Sequence, residues 1–263
     1  MDLSIIIVSF NTKDLLKKCL LNLPPEAETI VVDNGSTDGS VEMINEQWLM
    51  GNVKLIKNQR NLGFAKAVNQ GIKASQGKFI LLLNSDIIVK PQAIKEILIF
   101  TKKHPEIGVI GGRLLNPDGS IQGSCFNLPT LSRVIKEFWF NGPPILSKYF
   151  PQGNQPIEVE AVQGAVFLIP KKVLKKVGLF DERYFMYFED LDYCRRVRKA
   201  GFKIYHLPEA EFIHFHGASG RQISKKTYNW LIESSKIYHG RFKYYLLTGI
   251  VWLVQKWRKI LKF

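Results

Sequence analysis

The chain opens on Leu3–Ser9, an uncharged run rich in Ile and Val, and then shifts to apolar positions that recur every three or four residues. The run predicts a strand buried on both faces, and the longer period predicts a helix over Thr12–Leu23 that ends at Pro24 and Pro25. The pair then repeats. Strands are predicted at Glu28–Asp33, Val53–Lys57 and Lys78–Leu83, with helices over Thr37–Met50 and Phe64–Ser75 and another opened by Pro91. Such alternation implies a parallel sheet with right-handed crossovers, whose ligands bind beyond the carboxyl ends of the strands. Ser9 and Asn11, Asp33 to Ser40, Arg60 and Asn61, and Asn84 to Asp86 are therefore expected to converge on one crevice.

After residue 105 the rhythm changes. Asn116-Pro117-Asp118-Gly119 between apolar runs predicts a hairpin over Arg113–Gln122. Strands are expected at Val162–Ile169 and Lys203–His206, with helices over Lys171–Val177 and Phe188–Ala200. No stretch is rich enough in Pro, Gly or Ser to mark a linker. The reading is one mixed α/β domain, residues 1–220, followed by a helical basic tail, residues 221–263.

Composition narrows the class. Apolar residues form 46% of the chain and charged residues 23%, which excludes wholesale disorder, a collagen-like repeat and a multi-span membrane protein. The net charge of +14 suggests an anionic partner. Ten basic residues and one acid lie from Arg221 onward, so the excess belongs mainly to the tail. It forms no aromatic-interleaved patch on a recognised module, so no nucleic-acid partner is expected. Cys19, Cys125 and Cys194 lack metal-ligand spacing and read as small buried hydrophobes in a reducing compartment. Asp2 before a short apolar run reads as the approach to a strand, so no signal peptide and a cytoplasmic location are expected.

Four clusters carry candidate chemistry. In Asp33–Ser40 a strand-end carboxylate could accept from a nucleobase or a ribose, although the stretch also suits a turn and helix cap. Neither G-x-G-x-x-G nor G-x-x-x-x-G-K-[ST] occurs. In Asn84-Ser85-Asp86 a lone acid after a buried strand could hold a divalent cation against a diphosphate, or be an ordinary turn acid. Between Phe180 and Arg196, five acids stand among large aromatics. Glu189, Asp190 and Asp192 fall in a first helical turn, where an ionised carboxylate could serve as a general base or merely cap the helix and pair with Arg195 and Arg196. His214 and His216 face one way on an extended segment, and either could complete a metal site or be structural.

In this order the motifs resemble family 2 glycosyltransferases of the GT-A fold, most of all the bacterial branch that contains rhamnosyltransferases. The resemblance spans roughly residues 3–220. It rests on Ile7–Asn11, Val32–Ser40, Asn61–Ala65 with Asn69 and Gly71, Leu83–Asp86, Gly164-Ala165, Gly178 with Phe180–Glu182, Phe185–Asp192 and His214–Ser219. It implies a nucleotide-sugar donor whose pyrimidine is read by Asp33, in a pocket lined by Ser9 and Asn11. Arg60, Asn61, Lys66 and Asn84 would lie near the diphosphate or the sugar, and Gly164 would permit close approach. Asp86 and His214, with His216 in reserve, would hold Mg²⁺ or Mn²⁺. Asp190 would be the base of an inverting displacement, with Glu189 and Asp192 as the neighbouring acids that could replace it. Many members carry Asp-x-Asp where this chain has Asn84-Ser85-Asp86, which implies weaker metal binding without donor. The resemblance points first to dTDP-L-rhamnose, and to a saccharide or lipid-linked acceptor in cell-surface polysaccharide synthesis. An inactive glycan-binding module and a sugar nucleotidyltransferase are the alternatives; the latter lacks its Gly-rich, Arg-containing loop after the first strand.

The tail holds an uncharged run, Tyr244–Gln255, between Arg241 and Lys243 on one side and Lys256, Arg258, Lys259 and Lys262 on the other. Twelve helical residues rise about 18 Å, short of the roughly 30 Å hydrocarbon core. Trp252, Trp257 and the paired tyrosines suit a helix lying in the headgroups of an anionic inner leaflet, while packing on the body or in a homodimer is the alternative.

Overall fold

The computed structural model describes residues 2–48, 51–140, 147–215 and 224–260. Its first part follows the predicted alternation: Leu3–Ser9 (β1), Lys13–Leu21 (α1), Glu28–Asp33 (β2), Ser40–Gln47 (α2), Val53–Lys57 (β3), Phe64–Ala74 (α3) and Phe79–Asn84 (β4). Helix α2 starts three residues later than Thr37. Asp38 spends its carboxylate on the backbone N–H groups of Lys13 (2.8 Å) and Ser40 (3.1 Å), so Thr37–Gly39 form a turn between the first two loops. Leu49 and Met50, the predicted end of this helix, lie outside the described residues.

The later elements are Ile87–Val89 (β5), Ala93–Lys103 (α4), Ile107–Leu115 (β6), Ile121–Gln122 (β7), Cys125–Phe126 (β8), Leu131–Phe140 (α5), Ile157–Val159 (β9), Ala161–Val162 (β10), Val166–Pro170 (β11), Lys171–Val177 (α6), Glu189–Lys199 (α7), Lys203–His214 (β12), Ser224–His239 (α8) and Arg241–Ile260 (α9). Pro91 does not open α4; the helix begins two residues on, after Gln92 in a left-handed conformation (φ 68°). The hairpin forms as expected, with Leu114 opposite Gln122 and Leu115 opposite Ile121. The single strand expected at Val162–Ile169 is broken at Gln163–Ala165 into β10 and β11, which belong to different sheets. The strand expected to end at His206 continues to His214, because its second half pairs with β5 and with the far end of β6.

The main sheet runs β3-β2-β1-β4-β11-β6-β12-β5, with β7 on β6 and β9 on β12. Strands β3, β2, β1 and β4 are parallel, β11 is antiparallel to its neighbours, β12 is parallel to β6, and β5 is antiparallel to β12. Alternate residues feed opposite cores. Ile5 and Ile7 pack with α1, α2 and α4, whereas Ile6 packs with α3, α6 and α7. Register brings the polar strand ends level, with Ser9 opposite Asp33 and Val8 opposite both Val32 and Asn84. The three cysteines are buried and free, as expected.

Helix α8 is fastened to the body. Tyr238 enters the second core, its carbonyl accepts from Arg195 Nη1 (3.1 Å), and the Arg195 guanidinium lies 4.1 Å from its ring centre. Helix α9 packs against α8 and α5.

Candidate active site

A cavity of about 610 Å³ lies beyond the carboxyl ends of β1, β2 and β4. Asn34, Asn61, Asn84, Ser85 and Asp86 form one wall, Gly164, Glu189 and Asp190 the opposite one, and Trp230 and Leu231 of α8 close one side.

The first wall is tied together by its own side chains. Asp33 Oδ1 accepts from the N–H groups of Gly35 (3.1 Å) and Ser36 (2.9 Å), which curls the loop back on the strand. Gly35 has φ +87°, and a Cβ there would stand 2.7 Å from Arg60 Cα. Asn11 clasps the same loop, donating its N–H to Ser36 Oγ (2.9 Å) and accepting from Thr37 N (2.8 Å). Asn34 Nδ2 donates to Asn61 Oδ1 (2.9 Å), and Asn34 Oδ1 accepts from Leu62 N (3.0 Å) and Asn58 Nδ2 (3.1 Å). Ser9, Thr12 and Ser85 form a hydroxyl chain (3.1 and 2.8 Å) linking the ends of β1 and β4. Asp33 Oδ2 is fully buried and has no hydrogen-bond partner. A buried carboxylate oxygen left open is costly unless a ligand donor meets it.

Asp86 and His214 come together because β5 and β12 pair, with Ile87 opposite His214 and Phe215 N donating to Asp86 O (2.9 Å). Asp86 Oδ1 lies 3.4 Å from His214 Nε2, both side chains being almost wholly buried. That gap is long for a hydrogen bond and can be bridged by one cation with ligand distances of about 2.1 Å. Imidazole and carboxylate are a donor pair that Mn²⁺ accepts readily. No group of three or more His, Cys, Asp or Glu able to hold a metal occurs among the described residues. His216 lies outside them.

The opposite wall is the first turn of α7. Tyr187 (φ 72°) and Phe188 (φ 66°) precede it in the left-handed region, at roughly 1–2 kcal/mol each. This segment is held on two sides. Phe64 N donates to Phe185 O (2.7 Å), Ser234 Oγ of α8 donates to Met186 O (2.8 Å), and the rings of Phe185 and Trp230 lie 4.5 Å apart. Asp190 Oδ2 accepts from Gly164 N (3.0 Å) and Oδ1 from Leu191 N (2.8 Å). Burial pushes Asp190 above the usual carboxylate range, while these two N–H groups and the charge of Lys148 pull it back. Glu189 is pushed up by burial and by Asp190, and its Oε2 has no partner. Both carboxyls are thus raised and titrate as a pair, in which Asp190, with two N–H donors and Lys148 beside it, is the better placed to carry charge. Lys148 also lines the cavity; desolvation lowers it and the Asp190 charge counters that.

Of the residues singled out by sequence, Asn61, Asn84, Asp86, Gly164, Glu189, Asp190 and His214 line this cavity. Ser9, Asn11 and Asp33 stand behind its wall and shape it. Asp192 turns away into ion pairs with Arg195 (2.7 Å) and Arg196 (2.8 Å), the helix-capping alternative. Arg60 and Lys66 are exposed and do not line it, since α3 buries Ala65 and Ala67 on either side of Lys66. Asn58, Gln122, Lys148 and Trp230 carried no sequence signal, because each reaches the site through a contact with a distant segment.

Comparison with known proteins bears on the family and the fold. The profile described as "Glycosyl transferase family 2" matches residues 4–177, and one described as "Glycosyltransferase like family 2" matches residues 149–232. An N-acetylglucosaminyl-diphospho-decaprenol L-rhamnosyltransferase of Mycobacterium tuberculosis is 31% identical over 235 residues, covering 81% of this chain and 75% of that protein. Rhamnosyltransferase WbbL of Escherichia coli is 26% identical over 247 residues, covering 90% and 92%. Among solved structures, residues 1–349 of TarS from S. aureus superpose with a TM-score of 0.61 at 17% identity, covering 91% of this chain and 64% of that one. The mannosyltransferase PcManGT from Pyrobaculum calidifontis, in complex with GDP-Man and Mn²⁺, gives 0.59 at 16%, covering 93% and 63%. The chain thus spans less than two thirds of these two solved chains, and their likeness is one of fold.

Proposed function

The chain belongs to glycosyl transferase family 2, and from that premise we propose that it moves a sugar from a pyrimidine nucleoside-diphosphate donor to a lipid-linked saccharide. The observation that carries this reading is one cavity joining the β1, β2 and β4 strand ends to Asp190. Asp33 Oδ2 is the acceptor for the N3–H of uracil or thymine. Asp86 and His214 would hold Mg²⁺ or Mn²⁺, which when bound neutralises charge on the departing diphosphate. Asp190 takes the proton of the acceptor hydroxyl as its oxygen bonds to the anomeric carbon and the bond to the diphosphate breaks, with inversion.

The donor sugar proposed first is L-rhamnose as dTDP-L-rhamnose, after the two rhamnosyltransferases above. Phe185, Trp230, Leu231 and Tyr244 give the cavity an apolar side toward α8 and α9, which fits an acceptor carried on a lipid. Thermal shift against dTDP-L-rhamnose and UDP-sugars, with and without Mn²⁺, tests the reading. A Mn²⁺-dependent rise with a pyrimidine donor is expected. Asp33→Asn keeps the oxygen that holds the loop and puts an NH₂ where N3–H would bind, so affinity should fall at least tenfold, or about 1.4 kcal/mol. No shift with any donor overturns the reading.

Helix α9 serves as the contact with an anionic inner leaflet in this proposal. Phe242, Tyr245, Leu246, Trp252, Leu253 and Trp257 are exposed along α9, and Arg241, Lys243 and Lys256 are exposed beside them. No helix among the described residues is long and apolar enough to cross a membrane. A chain ending at His239, which keeps α8, is expected to bind donor but not to co-sediment with phosphatidylglycerol vesicles at low salt. Equal sedimentation of the two forms would leave α9 as a packing element.

A further inference from the structure

Between β10 and β11 the chain leaves the sheet at Gln163–Ala165, and the backbone there is fastened to three neighbours. Gln163 N donates to Ser124 O (2.8 Å), Gly164 N to Asp190 Oδ2 (3.0 Å), and Asn84 N to Ala165 O (3.0 Å). Gln163 is thus held next to the glycine that touches the proposed base. Its main chain is fixed, yet its side-chain oxygen is unspent. Gln163 lines the cavity, and its Oε1 is enclosed with no hydrogen-bond partner among the described residues. Ser124, which shares a small recess behind this wall with Gln163, has an unpartnered Oγ as well. The last torsion of a glutamine is broad, so the amide can turn its oxygen to the cavity and its NH₂ toward that recess. An enclosed amide oxygen left open is costly, so a ligand that donates to it is favoured.

We propose that Gln163 is a specificity-determining residue for the acceptor, its side-chain oxygen taking a hydrogen bond from the sugar substituent beside the hydroxyl that Asp190 deprotonates. The acceptor class is then a saccharide with a hydroxyl or an acetamido N–H on that neighbouring carbon. An analogue without that donor is rejected, because it would close off the amide oxygen from water with nothing to accept from. Glu189 Oε2 is the other unpartnered atom of this wall, but it belongs to a carboxyl that titrates with Asp190. An amide offers the same donors and acceptor at every pH, so Gln163 reads the substrate without entering the proton transfer. The role holds within the transfer reading proposed above.

Transfer by the full-length chain from dTDP-L-rhamnose or UDP-sugars to hexoses and N-acetylhexosamines on a short lipid diphosphate identifies an accepted sugar. Analogues of that sugar, each lacking one hydroxyl or carrying O-acetyl in place of N-acetyl, are then compared in wild type, Gln163→Met and Gln163→Leu. One analogue should lose at least about tenfold in kcat/KM with wild type and less than about twofold with either variant. The ratio between two substrates on one protein cancels any general loss of folded enzyme. The thermal shift given by the donor should be the same in all three chains. A variant that loses that shift places Gln163 on the donor and overturns the assignment. Penalties that match in wild type and variants overturn the role of Gln163 and leave the transfer reading intact. A wild type that transfers to none of these acceptors overturns the transfer reading, and the role with it.

Discussion

The two walls of the cavity are built on opposite principles. The first takes its groups from the ends of adjacent parallel strands, and its asparagines and hydroxyls satisfy one another across neighbouring loops. The second is assembled from segments far apart in the chain: Gly164 against Asp190, and Ser234 and Trp230 against Phe185–Met186. Their buried polar atoms differ in the same sense. Among the described residues Asp33 Oδ2, behind the first wall, has no partner, whereas the second wall leaves Gln163 Oε1 and Glu189 Oε2. A saturated wall with a single open acceptor suits one unvarying ligand, the nucleotide. A wall with two open groups and strained backbone suits the changing protonation of a reaction.

The largest effect that separates the walls is expected at Asp190. Asp190→Asn keeps the shape and removes the proton acceptor, so kcat should fall by about 10³-fold or more while donor affinity stays within about twofold. Donor titration beside steady-state transfer measures both. A fall in kcat of less than tenfold would reassign the base to Glu189, since Asp192 is already spent on Arg195 and Arg196.

The same contrast explains what could be read from the chain alone. Strands β1, β2 and β4 are announced by apolar runs, and each polar group of the first wall follows its strand within a few residues, so Asp33 and Asp86 were legible as strand-end acids. The glutamate and aspartate opening α7 stood out by charge among aromatics, but their division of labour did not. It depends on the Gly164 N–H and on Lys148, 26 and 42 residues away. Helix α5, the length of β12 and the break at Gln163–Ala165 were missed because tertiary pairing sets them. Asp192 reads in sequence like its neighbours, and only the helix geometry shows that it faces two arginines.

A pH test sharpens the comparison from the side of stability. His206, buried in β12, is pushed down to about 4 by desolvation and by the charge of Arg113. Above pH 6.5 both folded and unfolded forms are neutral there and the residue has no pH effect. As pH falls from 6.5 toward 4 the unfolded chain takes the proton and the folded chain does not, so stability is lost, by roughly 3 kcal/mol in all. Glu189 and Asp190 are shifted upward, so they act with the opposite sign and favour the fold at low pH. Comparing wild type with His206→Gln in urea at pH 7.5 and pH 4.5 isolates the histidine. The wild type is expected to lose more stability than the variant over that range, and parallel losses would show that His206 is not the source.

The smallest effects come from one substitution made on each wall, glycine to alanine. At Gly35 the backbone has φ +87° and a Cβ would stand 2.7 Å from Arg60 Cα, so neither strain nor clash can be relieved by a side-chain rotation. Gly35→Ala should lower stability by at least about 1–2 kcal/mol and weaken donor binding with it. At Gly164 no positive φ opposes a side chain, and a Cβ would meet Asp190 Cβ at 3.6 Å and Phe64 Cε1 at 3.8 Å, ordinary contact distances. Gly164→Ala should therefore fold with nearly unchanged Tm and bind donor normally. Its methyl, 3.8 Å from Asp190 Oδ2, occupies space that an acceptor hydroxyl needs in order to reach that oxygen. The expected result is a rise of several-fold in the acceptor KM with the donor Kd unmoved. A Gly164→Ala chain that loses donor affinity as much as acceptor affinity would mean that the two walls do not divide the substrates between them.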